Sequence, residues 1–263
     1  MKVLRRLLIA SLSVAVLATG AAHAVSTTNF SDQWWVPTES GWGASVLQQS
    51  NTLIIDLMVY GADSKPTWFF VGASLQTSPP AGHTVFVGDL YATTGPYYGG
   101  AFNPALVSGR KVGTLTFDAT TSNSATIAYT VDGVPVLKPV VRQTWASDNL
   151  TGKYNGAWHF ECSSGPWPTT DEWVTLSITH NPDNSITLLE EPAPPPPFGY
   201  FLFRGTYSQI GHMGQIVAEL QSTDHGTVTF FEIEKTASGL IGRFSGTIND
   251  CQVVNGRIAA VRQ

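Results

Sequence analysis

Two kinds of residue in this chain have the types and spacing for chemistry: ionisable side chains two apart in extended segments, and tryptophans set among glycines. His159 and Glu161 flank Phe160, so a regular strand points both to one face. With His180 or His225 as a third ligand such a pair can seed a metal site, and with the Asp171/Glu172 region it can serve a hydrolase or lyase. Asp171/Glu172 and Glu190/Glu191 are chain neighbours, which a strand turns to opposite faces. Glu232 and Glu234 share a face, but most such pairs solvate an edge. Retaining glycosidase chemistry needs two carboxyls ~5 Å apart, a separation that spacing does not specify. His212 lies in Gly211-His212-Met213-Gly214, a turn pattern. No HExxH, GxSxG, P-loop or GxGxxG sequence is present, so no catalytic residue, metal or cofactor is assigned.

The aromatic residues are more informative. Trp34, Trp35 and Trp42 fall around Pro37-Thr38-Glu39-Ser40-Gly41-Trp42-Gly43, and Trp68 follows with Phe69. Tyr97 and Tyr98 stand between Gly95-Pro96 and Gly99-Gly100. Rings bordered by glycine can lie at a surface and stack on sugars, or they can plug the end of a β-barrel with the indole N–H on a carbonyl. The expected contact set is Trp34, Trp35, Trp42, Trp68 and Tyr97, with Glu39 and Thr94 as polar partners that fix orientation. The expected partner is a carbohydrate or cell-wall polymer.

The elements that position these residues are strands. Ala125, Ile127, Tyr129 and Val131 alternate with Ser124, Thr126 and Thr130; Val174, Leu176 and Ile178 alternate with Trp173, Thr175, Ser177 and Thr179; Ile216, Ala218 and Leu220 alternate with Gln215, Val217, Glu219 and Gln221. One apolar and one polar face is the mark of antiparallel sheets. Asp132-Gly133 between two β-rich runs predicts a two-residue hairpin, and Ser50-Asn51 and Asp183-Asn184 punctuate others. About seven strands are expected over 42–143 and about eight over 152–261. Their close spacing predicts an all-β protein of two consecutive antiparallel meanders, each a small barrel or sandwich. The halves are 25–148 and 149–263, parted by the polar break Ala146–Leu150 after Trp145. The proline run 194–197, after Glu190-Glu191-Pro192-Ala193, reads as a stiff protrusion at a hairpin tip.

Residues 1–24 read as a cleaved secretory signal: Lys2, Arg5 and Arg6, an apolar stretch from Leu7, then Ala22-His23-Ala24. Without those three basic residues the 14 Lys+Arg fall to 11 against 19 Asp+Glu. So anionic a chain is not expected to hold nucleic acid. Thr, Ser, Gln and Glu on the second face of many strands argue against an outer-membrane barrel and against membrane insertion. Nothing in the sequence signals an oligomeric state. Cys162 and Cys251 are the two cysteines. In an oxidising compartment, secreted or periplasmic, one bridge would join the first and last strands of a closed second half.

The string Phe30-Ser31-Asp32-Gln33-Trp34-Trp35-Val36-Pro37-Thr38-Glu39-Ser40-Gly41-Trp42-Gly43 resembles the opening of a two-part family of exported proteobacterial proteins, written WW-x-P-x-ESGWG. Lys65-Pro66-Thr67-Trp68, Leu90-Tyr91-Ala92-Thr93-Thr94-Gly95-Pro96, Tyr129 to Gly133 and Arg142-Gln143 match its later motifs, so the likeness covers 30–145. Residues 150–262 resemble the segment that follows it there, through Gly205-Thr206-Tyr207-Ser208-Gln209 and Arg243-Phe244 to Cys251. That segment often carries two further cysteines, and their joint loss here implies that they pair with each other and leave Cys162–Cys251 as the second bridge. The resemblance implies export and a β-barrel fold. The family has no assigned activity, so no catalytic residues carry over.

Overall fold

The computed structural model describes residues 28–163, 169–192, 201–221, 226–248 and 250–263. The expected signal segment, the proline run and His225 lie outside the described residues. The first half holds β1 (Asp32–Trp35), β2 (Gly43–Gln49), β3 (Thr52–Tyr60), β4 (Pro66–Leu75), β5 (Thr84–Thr94), β6 (Ser108–Ala119), β7 (Ser124–Val131) and β8 (Val134–Arg142). Each pairs antiparallel with the next, and β1 closes on β8 through Trp34↔Arg142 and Trp35↔Val141. The second half holds β9 (Gly152–Cys162), β10 (Thr169–His180), β11 (Ser185–Pro192), β12 (Phe201–Ile210), β13 (Met213–Leu220), β14 (Gly226–Lys235), β15 (Gly239–Ile248) and β16 (Cys251–Arg262), and β16 closes on β9. Both meanders are therefore closed eight-stranded barrels rather than sandwiches, and closure leaves neither with a free edge. The seven strands expected over 42–143 are β2 to β8; the four-residue β1 is the eighth.

Alternation sets what faces inward. Ala125, Ile127 and Tyr129 of β7, Val174, Leu176 and Ile178 of β10, and Ile216, Ala218 and Leu220 of β13 are all buried. In an eight-stranded barrel the interior is just wide enough for side chains to fill. Phe30, Trp34, Phe86 and Phe117 pack edge-to-face in the first, with ring centroids 5.1–6.4 Å apart. In the second, Trp158 stacks on Phe203 and meets Phe230 and Phe244 edge-on. Asp132 and Gly133 both adopt positive φ in the β7–β8 hairpin, the backbone that an Asp-Gly turn favours. Cys162 and Cys251 form a disulfide between the end of β9 and the start of β16, where the barrel seam closes.

The meander topology sorts the connections. In the first barrel the β1–β2, β3–β4, β5–β6 and β7–β8 connections lie at one end. The chain enters and leaves at the other, and that end abuts the second barrel. There the Asp32 carboxylate accepts hydrogen bonds from His212 N (2.9 Å), in the β12–β13 turn, and pairs with His212 Nδ1 (2.8 Å) and Arg142 Nη1 (3.3 Å).

Candidate functional site

The end of the first barrel away from the joint collects nearly all of the expected contact residues. Trp35 ends β1, Glu39 and Trp42 stand in the β1–β2 connection, Trp68 lies near the start of β4, Thr94 ends β5, and Tyr97 begins the β5–β6 connection. They do not share one face of the wall. Trp35, Gly43, Met58 and Trp68 are register partners along adjacent strands and form an outward row, a methionine set beside two indoles. Trp68 is 53% exposed and Trp35 is half-buried. Tyr97 and Tyr98 are 70% and 93% exposed, with ring centroids 4.7 Å apart. A Cβ on Gly99 would lie 2.6 Å from the Tyr97 ring, so only glycine lets that ring fold back over the loop. Tyr60 and Phe102, which the sequence reading passed over, are also exposed at this end.

Two expected residues serve the interior instead. Trp34 is fully buried: its indole N–H donates to Phe30 O (3.0 Å), and the Arg142 guanidinium lies 4.8 Å from its ring. It belongs to the core and leaves the contact set, because β1 has already turned its neighbour Trp35 outward. Trp42 is half-buried, packs on the core and donates to Tyr129 Oη (3.2 Å), so it caps the barrel mouth. Glu39 is ion-paired to Lys138, whose ammonium lies 6.0 Å from the Trp42 ring. Thr94 is exposed, opposite Ser108.

The second barrel carries a different feature, a groove of about 720 Å³ along the outer wall of β10, β9, β16 and β15. Two rows of side chains cross it. One follows the register Trp173↔Ala157↔Ala259↔Ile241, and the other follows Asp171↔His159↔Arg257↔Arg243. His159 Nδ1 lies 2.7 Å from Asp171 Oδ1, and its Nε2 lies 4.0 Å from Glu161, so the expected His159/Glu161 pair does share a face. Glu232 and Glu234 line the side towards the joint. Arg243 lies 3.6 Å from Glu232, and Asn29 of the first barrel donates to Glu234 at 3.5 Å.

The alternative chemistries fare differently. His180 is buried beside Tyr207 inside the barrel, while His159 is on the outer wall, so His180 does not join His159 as a ligand; His225, the other candidate, lies outside the described residues. Asp171 faces out and Glu172 faces in, as neighbours on a strand must, and burial raises the Glu172 carboxyl. Asp171 and Glu161 flank a single imidazole, and no Ser, Cys or Thr is among the described lining residues to act as nucleophile. The sequence reading missed Arg243 and Arg257. Trp173 had one available signal, a tryptophan on the polar face of its strand. No family model matches this chain, nor does any curated protein or solved structure, so what these surfaces do must follow from their own geometry.

Proposed function

We propose that the protein is an exported, non-catalytic binding protein that holds a carbohydrate or cell-wall polymer on the aromatic end of its first barrel. One observation carries this reading: Tyr60, Trp68, Tyr97, Tyr98 and Phe102, from two adjacent connections and the strands beside them, stay open to water although each barrel fills its interior with other rings. Exposed aromatic faces are expensive to hydrate and favour stacking on the C–H faces of sugars, while hydroxyl and carboxylate neighbours such as Thr94 and Glu39 orient the ligand. Several rings spread over one end suit an extended chain, which can contact more than one of them at a time. The disulfide fits an oxidising compartment outside the cytoplasm, and the resemblance of 30–145 to exported domains supports the same placement. An outer wall bearing Asp171, His159, Arg257 and Arg243 in one row supports an aqueous surround.

Retention on immobilised glycans and cell-wall polymers tests this. The wild-type protein should be retained on at least one, and Trp68→Ala with Tyr97→Ala should weaken retention at least tenfold while leaving the melting temperature within about 2 °C, as both rings are exposed. Retention on none, or retention untouched by the two substitutions, would remove the aromatic end as a binding surface.

A further inference from the structure

We propose that the groove on the second barrel is a separate binding site for a sugar ring that carries a carboxylate. Its floor is made of the two smallest side chains available on a strand, Ala157 and Ala259, paired across the β9–β16 seam. Trp173, 73% exposed, and Ile241 stand on the flanking strands and make its walls. Three strand spacings separate those walls, roughly 14 Å, room for one flat ring lying on the alanines with an indole beside it.

The polar row lies one pleat further along the same face, within reach of that ring's substituents. Its members are engaged except one. His159 is tied to Asp171, and Arg243 is tied to Glu232 and lies 5.6 Å from the Phe231 ring. Arg257, between them, is exposed, and its guanidinium makes no hydrogen bond or ion pair with any described residue. A guanidinium offers a planar two-pronged donor edge that matches a carboxylate. Asp171, Glu232 and Glu234 line the same groove, so a doubly charged phosphate there would meet carboxylates. A singly charged carboxylate on a ring of hydroxyls suits the same surroundings, because the acids and Asn29 can then bind hydroxyl groups.

The backbone is bent to make this arrangement. The registers β14–β15 and β16–β9 slip between Phe231 and Glu234 and between Val254 and Arg257. Glu232 (φ 51°) and Asn255 (φ 55°) occupy the left-handed region within those bulges, although neither is glycine. Bulges re-aim side chains, and strained non-glycine residues cluster where a ligand is held. Asn29 completes the groove from the first barrel, so the site needs both halves.

Isothermal titration of the mature protein with galacturonate, glucuronate, neutral galactose and inorganic phosphate tests the assignment. At least one of the two uronates should bind, at least tenfold more tightly than galactose or phosphate. Arg257→Gln and Trp173→Ala should each weaken that binding at least tenfold without lowering the melting temperature, whereas Trp68→Ala should leave it unchanged. Equal binding of the neutral sugar or of phosphate, no uronate binding at millimolar concentration, or an Arg257→Gln protein that binds as wild type would each overturn it. Because the two surfaces are altered by different substitutions, either can fail while the other stands.

Discussion

Among the described residues, Glu190 is the most deeply buried carboxyl. It occupies an inward position of β11, opposite Leu176 of β10 and Phe201 of β12, is 5% exposed, and its carboxyl forms no hydrogen bond with a described residue. Burial first, and then the neighbouring Glu172 charge, push its pKa up to about 8 from the ordinary 4.5. A carboxyl whose folded pKa is raised stabilises the fold fully below its unfolded pKa, and that contribution is lost as pH rises to the folded value. Stability of the second barrel should therefore fall between about pH 4.5 and 8. Glu190→Gln should flatten that slope and gain roughly 1–3 kcal/mol at pH 8, after the amide's own burial cost. Chemical denaturation at a series of pH values checks this; parallel profiles for the two proteins would show that Glu190 is not the group responsible.

At the scale of elements the second barrel is held at its seam. β9 and β16 are far apart in the chain, and the entropy of bringing them together is met in part by the Cys162–Cys251 bridge, 89 residues apart in sequence. The seam also carries the Ala157/Ala259 floor and the His159–Arg257 step of the groove. Replacing both cysteines by alanine should lower the stability of this barrel by roughly 2–4 kcal/mol. Hydrogen exchange should then speed up in β9 and β16 and remain unchanged in β1 to β8. Uniform acceleration across both barrels would contradict a local role for the bridge.

At the scale of the whole molecule, a buried polar joint couples the barrels. Arg142 is fully buried, donates to Ser122 O (2.6 Å) and Ser31 O (3.2 Å), and faces Asp32. Burial acts to raise the Asp32 carboxyl, but hydrogen bonds from His212 and Gln33 outweigh it and hold the carboxyl below its usual range. Gly211 (φ 62°) is packed so closely that a Cβ there would lie 2.1 Å from Asp32 Oδ2. The segment between the barrels is pinned too: Asp148 N donates to Gln209 Oε1 (2.7 Å) and Gly211 N to Thr144 Oγ1 (2.8 Å). Asp32→Asn leaves Arg142 buried without its counter-charge, which should cost roughly 2–4 kcal/mol at pH 7. A carboxyl with a lowered folded pKa stabilises above its unfolded pKa, so this difference should shrink as pH falls below about 4. Proteolysis within 143–151 should also quicken in the variant; an unchanged melting temperature and cleavage rate would show that the joint contributes little.

Much of this architecture was legible one strand at a time. Alternation in 124–131, 173–179 and 215–221 assigned each side chain to the inner or outer face, because a pleat turns successive residues to opposite sides whatever the strand pairs with. Asp132-Gly133 announced its hairpin through its own backbone preference. A bridge between the two cysteines was what closure of the second half would predict, since closure makes its first and last strands neighbours. The same reasoning could not separate Trp34 from Trp35 as core and surface, because a four-residue strand offers too short a pattern to phase. Nor could it see the groove. Trp173, Ala157, Ala259 and Ile241 are strangers in sequence, and so are Asp171, His159, Arg257 and Arg243. Their adjacency depends on the register across four strands and on bulges at Glu232 and Asn255, which are set by how the whole barrel packs and closes. Facing is a local property of a strand, whereas neighbourhood across a sheet exists only once the chain has folded back on itself.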